Sequence, residues 1–189
     1  MISGIKKLAI VFPGIGYHKD KPLLYYAGKM VKSMGFDILS IEYRNMPKKI
    51  IGDAKMIDKA IKIGYDEAKE QLEGIDFSVY EDIVFVGKSI GTAILAQYAS
   101  EHMISSKQLW YTPIEATFLF PSKNAIAFIG DDDPWSDVDK IKRMAGEYGI
   151  GLYSYPGCNH SLECRDVDKD LVNIRDVMKK SLSFLERDP

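Results

Sequence analysis

The chain has 189 residues, 46% of them hydrophobic and 28% charged, with a formal net charge of −2 at pH 7. That length is expected to build one domain over residues 1–189, since domains commonly run to about 100–200 residues. The near-neutral charge gives no basic field for nucleic acid, and no run approaches the roughly 18 apolar residues that a membrane-spanning helix needs.

In chain order, apolar β-rich runs alternate with segments of helical period. Lys6-Lys7 ahead of Leu8–Phe12 imitates a signal peptide, but the apolar run is too short and Pro13-Gly14 follows with no small-residue cleavage site. It is expected to be a first strand, and the cytoplasm is the expected compartment. Further strands are expected at Asp37–Tyr43, Asp82–Gly87, Gln108–Thr112, Ala125–Gly130 and Gly151–Tyr155. Pro22–Met34, Ile51–Glu73, Ile90–Met103, Ser136–Tyr148 and Lys169–Glu186 carry apolar residues at spacings of three and four, the mark of a helix with one buried face. This βαβ alternation predicts an α/β fold, a three-layer α/β/α sandwich around a mostly parallel sheet. Pro113–Lys123 is the least regular segment, and no repeat or Pro/Ser-rich linker interrupts the chain.

Cys158 and Cys164 are too few for a disulfide framework and are expected as free thiols. With His160 between them they offer three zinc ligands but no close Cys-x-x-Cys pair, so no metal is expected.

In open parallel sheets ligands sit beyond the carboxyl ends of the strands. Those ends carry Pro13-Gly14-Ile15-Gly16-Tyr17, Lys88-Ser89, Pro113, Asp131-Asp132-Asp133-Pro134 and Gly157-Cys158-Asn159-His160. Gly87-Lys88-Ser89-Ile90-Gly91 stands between a strand and a helix, the context in which Gly-x-Ser-x-Gly marks a nucleophile held on a tight turn with no room for flanking side chains. A serine hydroxyl needs a base. Of three histidines, His102 falls late in a helical pattern, His18 belongs to a Gly-rich loop, and His160 follows the last strand in a turn-rich stretch that would carry it to the active edge. A carboxylate between serine and histidine in the chain would orient the ring. Asp131, Asp132 and Asp133 all stand there, and composition does not choose among them.

With these motifs, nearly the whole chain resembles the α/β-hydrolase superfamily, in particular its small, cap-poor serine esterase and dienelactone-hydrolase-like members. The resemblance implies Asp133 as the acid, from the pattern Gly130-Asp131-Asp132-Asp133, and a histidine loop at Gly157–Ser161. It also implies an oxyanion hole formed by the Ile90 N–H and one from the loop after the first strand, Ile15 or alternatively Gly16. Pro13-Gly14 stands where many relatives have His-Gly, and the chain starts at what would be the family's third strand, implying a trimmed sheet of about six strands.

The activity so implied is hydrolysis of a carboxylic ester or thioester through an acyl-enzyme, with no cofactor. Peptide hydrolysis, acyl transfer and perhydrolysis use the same constellation. The short Pro113–Lys123 segment makes no large lid, which favours small or medium soluble substrates. Gly14, Gly16, Tyr17, Lys88, Trp135 and the Pro113–Phe118 neighbourhood are the candidates for lining a substrate site, while Glu42 and Arg44 are expected to form a structural ion pair. Two other classes compete: a non-catalytic ligand-binding protein on the same fold, and a nucleotide-binding protein built on Gly14-x-Gly16. The latter lacks the third glycine, whose place Lys19 takes, and leaves Glu42 for the ribose. No Gly-x-x-x-x-Gly-Lys-Ser/Thr occurs.

Overall fold

In the first strand, β1 (Lys7–Phe12), Leu8, Ile10 and Phe12 pack into one layer while Ala9 and Val11 pack into the other, and all five are buried. Period-two burial on both faces is what a strand covered by helices on each side requires. A computed structural model describes residues 6–47, 50 and 52–187. Five more strands follow: β2 (Asp37–Ser40), β3 (Asp82–Lys88), β4 (Lys107–Tyr111), β5 (Ala125–Gly130) and β6 (Gly151–Tyr155). They form one sheet in the order β2-β1-β3-β4-β5-β6, and every pairing is parallel, so the expected mostly parallel sheet is wholly so.

Helices α1 (Pro22–Ser33) and α5 (Val167–Leu185) cover one face, through Leu23, Leu24, Ala27, Val31, Val177 and Leu185. Helices α2 (Ala54–Leu72), α3 (Ile90–Glu101) and α4 (Val138–Tyr148) cover the other. Side-chain caps set three of the starts: Asp53 accepts from the Met56 N–H at 3.1 Å, Asp137 from Lys140 at 2.9 Å and Asp166 from Lys169 at 3.3 Å. The last two move the expected starts of α4 and α5 by two residues each, to Val138 and Val167. Ile51, the expected start of the second helix, lies outside the described residues. Among the described residues no helix is long and apolar enough to cross a membrane.

The second strand stops at Ser40 rather than at Tyr43. Its ladder to β1 continues as far as the Ile41 N–H, which donates to the Val11 carbonyl at 2.9 Å. The next rung would need an N–H from Pro13, which has none. From β1 the chain first builds outward to β2, then returns past β1 to lay down β3 to β6 on the other side. The carboxyl ends of β1 and β3 therefore flank the topological switch point, where doubly wound sheets open a crevice for ligands.

Candidate active site

Lys88 ends β3 and Ile90 opens α3, so Ser89 alone makes the turn, at φ 57° and ψ −127°. A side-chain-bearing residue held there stores about 1–3 kcal/mol of backbone strain, which the surroundings must hold in place. The Ser89 N–H donates to the Tyr111 carbonyl at 3.0 Å. Its own carbonyl accepts from the Thr92 N–H at 2.9 Å and the Thr92 hydroxyl at 2.6 Å, and that hydroxyl meets the Thr117 hydroxyl at 2.6 Å. Glycine leaves the room for this turn. A Cβ at Gly91 would stand 2.5 Å from the Pro13 carbonyl oxygen, and one at Gly87 would stand 2.9 Å from the Thr92 N and Cα. A Cβ at Gly14 would lie 3.1 Å from Ser89 Cβ, so the loop after β1 presses directly on the turn.

His160 and Asp133 arrive from the loops after β6 and β5. His160 Nε2 lies 2.7 Å from Ser89 Oγ, and His160 Nδ1 lies 2.7 Å from Asp133 Oδ2. The other Asp133 oxygen accepts from the Trp135 N–H at 2.9 Å, which orients the carboxylate. The two loops interlock backbone to backbone. Asp132 N–H donates to the Cys158 carbonyl at 3.0 Å, and a Cβ at Gly130 would fall 2.6 Å from the Asn159 carbonyl oxygen. The indole of Trp135 stacks on the imidazole, with centroids 5.1 Å apart and planes 18° from parallel. Asp133 is buried and its side chain is 0% exposed, whereas Asp131 turns outward to Lys142 at 3.2 Å and Asp132 is exposed.

Burial, and then the charge of Lys88, push the His160 imidazole down to about 4, against the opposing pull of Asp133. The ring is therefore neutral at pH 7, with Nε2 facing a hydroxyl whose proton it can accept. Lys88 is itself fully buried. Its ammonium lies 4.8 Å from the centroid of the Tyr17 ring, and its Nζ has no hydrogen-bond partner among the described residues. Burial pushes it down to about 7, while the charges of Asp133 and Glu163 pull it up.

The remaining candidates separate into those near this row and those elsewhere. The Gly14 and Tyr17 N–H groups are taken by each other's carbonyls at 3.2 Å, but those of Ile15 and Gly16 make no hydrogen bond among the described residues. The Ile90 N–H belongs to the first turn of α3, where amides have no partner within the helix. Tyr17 is buried with its hydroxyl accepting from the Leu23 N–H at 3.1 Å, so it lies over Lys88. Phe118 and Ile114 belong to the core, Phe118 packing edge-on against Trp110 at 5.4 Å. His102 ends α3 stacked on Tyr98, and His18 is exposed. The expected Glu42–Arg44 pair does not form: Glu42 meets Lys19 at 3.9 Å and Arg44 meets Glu70 at 3.9 Å. Both ring nitrogens of His160 are engaged, and the Cys158 sulfur accepts from Asn173 Nδ2 at 3.1 Å.

One cavity at this edge has walls that sequence reasoning passed over. It encloses about 470 Å3 beside Gly14–Gly16 and is closed by Ile41, Tyr43 and Met46, which follow β2. The rule that sends attention to strand ends points to these residues as well, but β2 ends three residues earlier than its apolar pattern indicates.

By sequence, neither a protein-family model nor a curated protein matches the chain. Solved structures do match by fold. The esterase Pf2001 of Pyrococcus furiosus superposes with a TM-score of 0.70 at 15% identity, over 97% of this chain and 84% of that one. Est1E of Butyrivibrio proteoclasticus gives 0.68 at 12% identity, over 98% and 91%. XC6422 of Xanthomonas campestris, an α/β serine hydrolase without a lid, gives 0.63 at 14% identity, over 98% and 86%.

Proposed function

Taking the α/β-hydrolase fold as the premise, we propose that this protein is a serine hydrolase that cleaves a carboxylic ester or thioester of a small or medium substrate through an acyl-enzyme. The observation that carries this is the hydrogen-bonded row from Ser89 Oγ through His160 to Asp133, 2.7 Å at each step. Ser89 attacks the carbonyl as His160 Nε2 takes its proton. Asp133 holds Nδ1–H and stabilises the imidazolium, and its own burial is offset by the hydrogen bonds from His160 and Trp135. The negative charge growing on the carbonyl oxygen is met by the N–H of Ile90 and that of Ile15 or Gly16, each worth about 3–4 kcal/mol at such sites. Collapse expels the alcohol or thiol, which takes the proton from His160. Water activated by the same ring then releases the acid and restores Ser89.

Two free cysteines fit a reducing compartment such as the cytoplasm. The experiment is stopped-flow turnover of a p-nitrophenyl ester, with the protein quenched for intact mass. A burst of nitrophenolate matched by an acyl adduct on Ser89, with neither in Ser89→Ala, is expected. Steady hydrolysis that survives Ser89→Ala, or none by a folded protein that NAD, FMN or ATP stabilises, would overturn the proposal.

A further inference from the structure

The base that takes the serine proton later hands it to the leaving group. The leaving group must therefore lie on the His160 side of Ser89, which leaves the acyl substituent the side away from His160, beside the oxyanion. The sheet gives those two directions physical content. Asp133 and His160 come from the loops after β5 and β6, on one side of β3, while β1 and β2 lie on the other. On that other side the loop that touches Ser89, through Gly14, is also a wall of the 470 Å3 cavity.

Resting on the serine-hydrolase reading above, we propose that this cavity is the acyl pocket, and that it takes an uncharged, apolar acyl group of medium length. Its far wall is the end of β2, two strand spacings or about 10 Å from β3. The cavity exists because Pro13 ends the β1–β2 ladder, so that after Ile41 the chain parts from β1. Tyr43 and Met46 then fold down over α2 at Gly64. A Cβ at Gly64 would stand 2.5 Å from Met46 Cε and 3.3 Å from Tyr43 Cε1, so the glycine sets the depth of this wall.

The lining is sorted by polarity. Pro13, Ile15, Ile41 and Met46 are apolar, Ile41 is only 1% exposed, and the wall residue Tyr43 carries an uncharged hydroxyl that is buried without a partner among the described residues. The ionisable groups sit at the mouth with their side chains more than half exposed, and they meet one another: Lys19 and Glu42 at 3.9 Å, His18 and Asp20 at 3.5 Å. An acyl group ending in a carboxylate would lose water inside without gaining a buried counter-charge, whereas an alkyl or aryl group would gain apolar contact.

The test is the acyl profile of kcat/KM over p-nitrophenyl acetate, butyrate, hexanoate and octanoate, with the ω-carboxylated butyrate alongside and a parallel series of butyrate esters varied in the alcohol. The native protein is expected to prefer hexanoate to acetate, and butyrate to its carboxylated counterpart, by about tenfold or more, the scale on which apolar pockets discriminate. Met46→Trp, which fills the cavity, should cut the hexanoate-to-acetate ratio by about tenfold, and Met46→Ala should move the optimum toward octanoate. Neither should alter the ranking of the alcohol series. If Met46→Trp does not fold, the Met46→Ala profile decides alone. Acyl ratios that do not move with Met46, or an alcohol ranking that moves instead, would overturn the pocket while Ser89-dependent turnover persists. Loss of that dependence would overturn the hydrolase reading with it.

Discussion

Replacing Lys88 with Met keeps the length of the side chain and removes an amine that is buried, unpartnered among the described residues and sealed beneath Tyr17. In the unfolded chain that amine titrates near 10.5, and in the fold it is pushed down to about 7, first by burial. At about 1.4 kcal/mol per pH unit, holding the proton there costs the native state ~5 kcal/mol. The sign follows from proton counts. Below pH 7 both states are protonated and the full cost is present. Between pH 7 and 10.5 the unfolded chain binds the extra proton, so stability gains from this residue as pH rises, and above 10.5 the cost is gone. Urea denaturation of native protein and Lys88→Met at pH 6 and pH 10 isolates the term. The variant should be more stable by ~5 kcal/mol at pH 6, with the gap closing to within about 1 kcal/mol at pH 10. A gap that is the same at both values, or a variant weaker at pH 6, would refute the reasoning.

With an ester substrate, kcat/KM should fall in acid only as the pH drops through about 4, because burial and the Lys88 charge keep His160 neutral above it. A fall centred near the ordinary imidazole value would contradict this, and in Lys88→Met the fall should move toward higher pH. Asp133→Asn should lower kcat by about four orders of magnitude with little change in KM, since the amide favours the wrong tautomer of His160. A loss below about tenfold would remove Asp133 from the row. Gly130→Ala puts a methyl group against the Cys158 and Asn159 carbonyls and should cost about 3 kcal/mol in urea denaturation, with activity lost ahead of the fold. An unchanged midpoint would mean that the two loops are not clamped there.

Most of the architecture was legible because each element keeps its own period. The wholly buried strands read as apolar β-rich runs, and helices such as α2 read as one-sided stripes. What escaped depends on partners distant in sequence. Asp37–Tyr43 looks like one strand until Pro13, on its neighbour, fails to supply a donor. Glu42 and Arg44 look like a local pair, but β1's loop and α2 supply their actual partners, Lys19 and Glu70. At the site, Gly-x-Ser-x-Gly carries its own steric reason, visible as soon as a strand and a helix flank it. Among three consecutive aspartates composition does not choose, the family resemblance points to Asp133, and the fold buries that one beside His160. In the sequence Lys88 is a candidate for lining the substrate site because it stands beside Ser89, and the fold buries it beneath Tyr17. Its burial follows from strand alternation, which sends Gly87 toward α3 and Lys88 toward Tyr17.

The most direct test of an activated Ser89 is labelling by a fluorophosphonate probe, read by intact mass and peptide mapping in the native protein, Ser89→Ala and His160→Ala. One adduct, on Ser89, absent from the first variant and strongly slowed in the second, is the predicted result. A folded native protein that stays unlabelled, or an adduct on another residue, would contradict it.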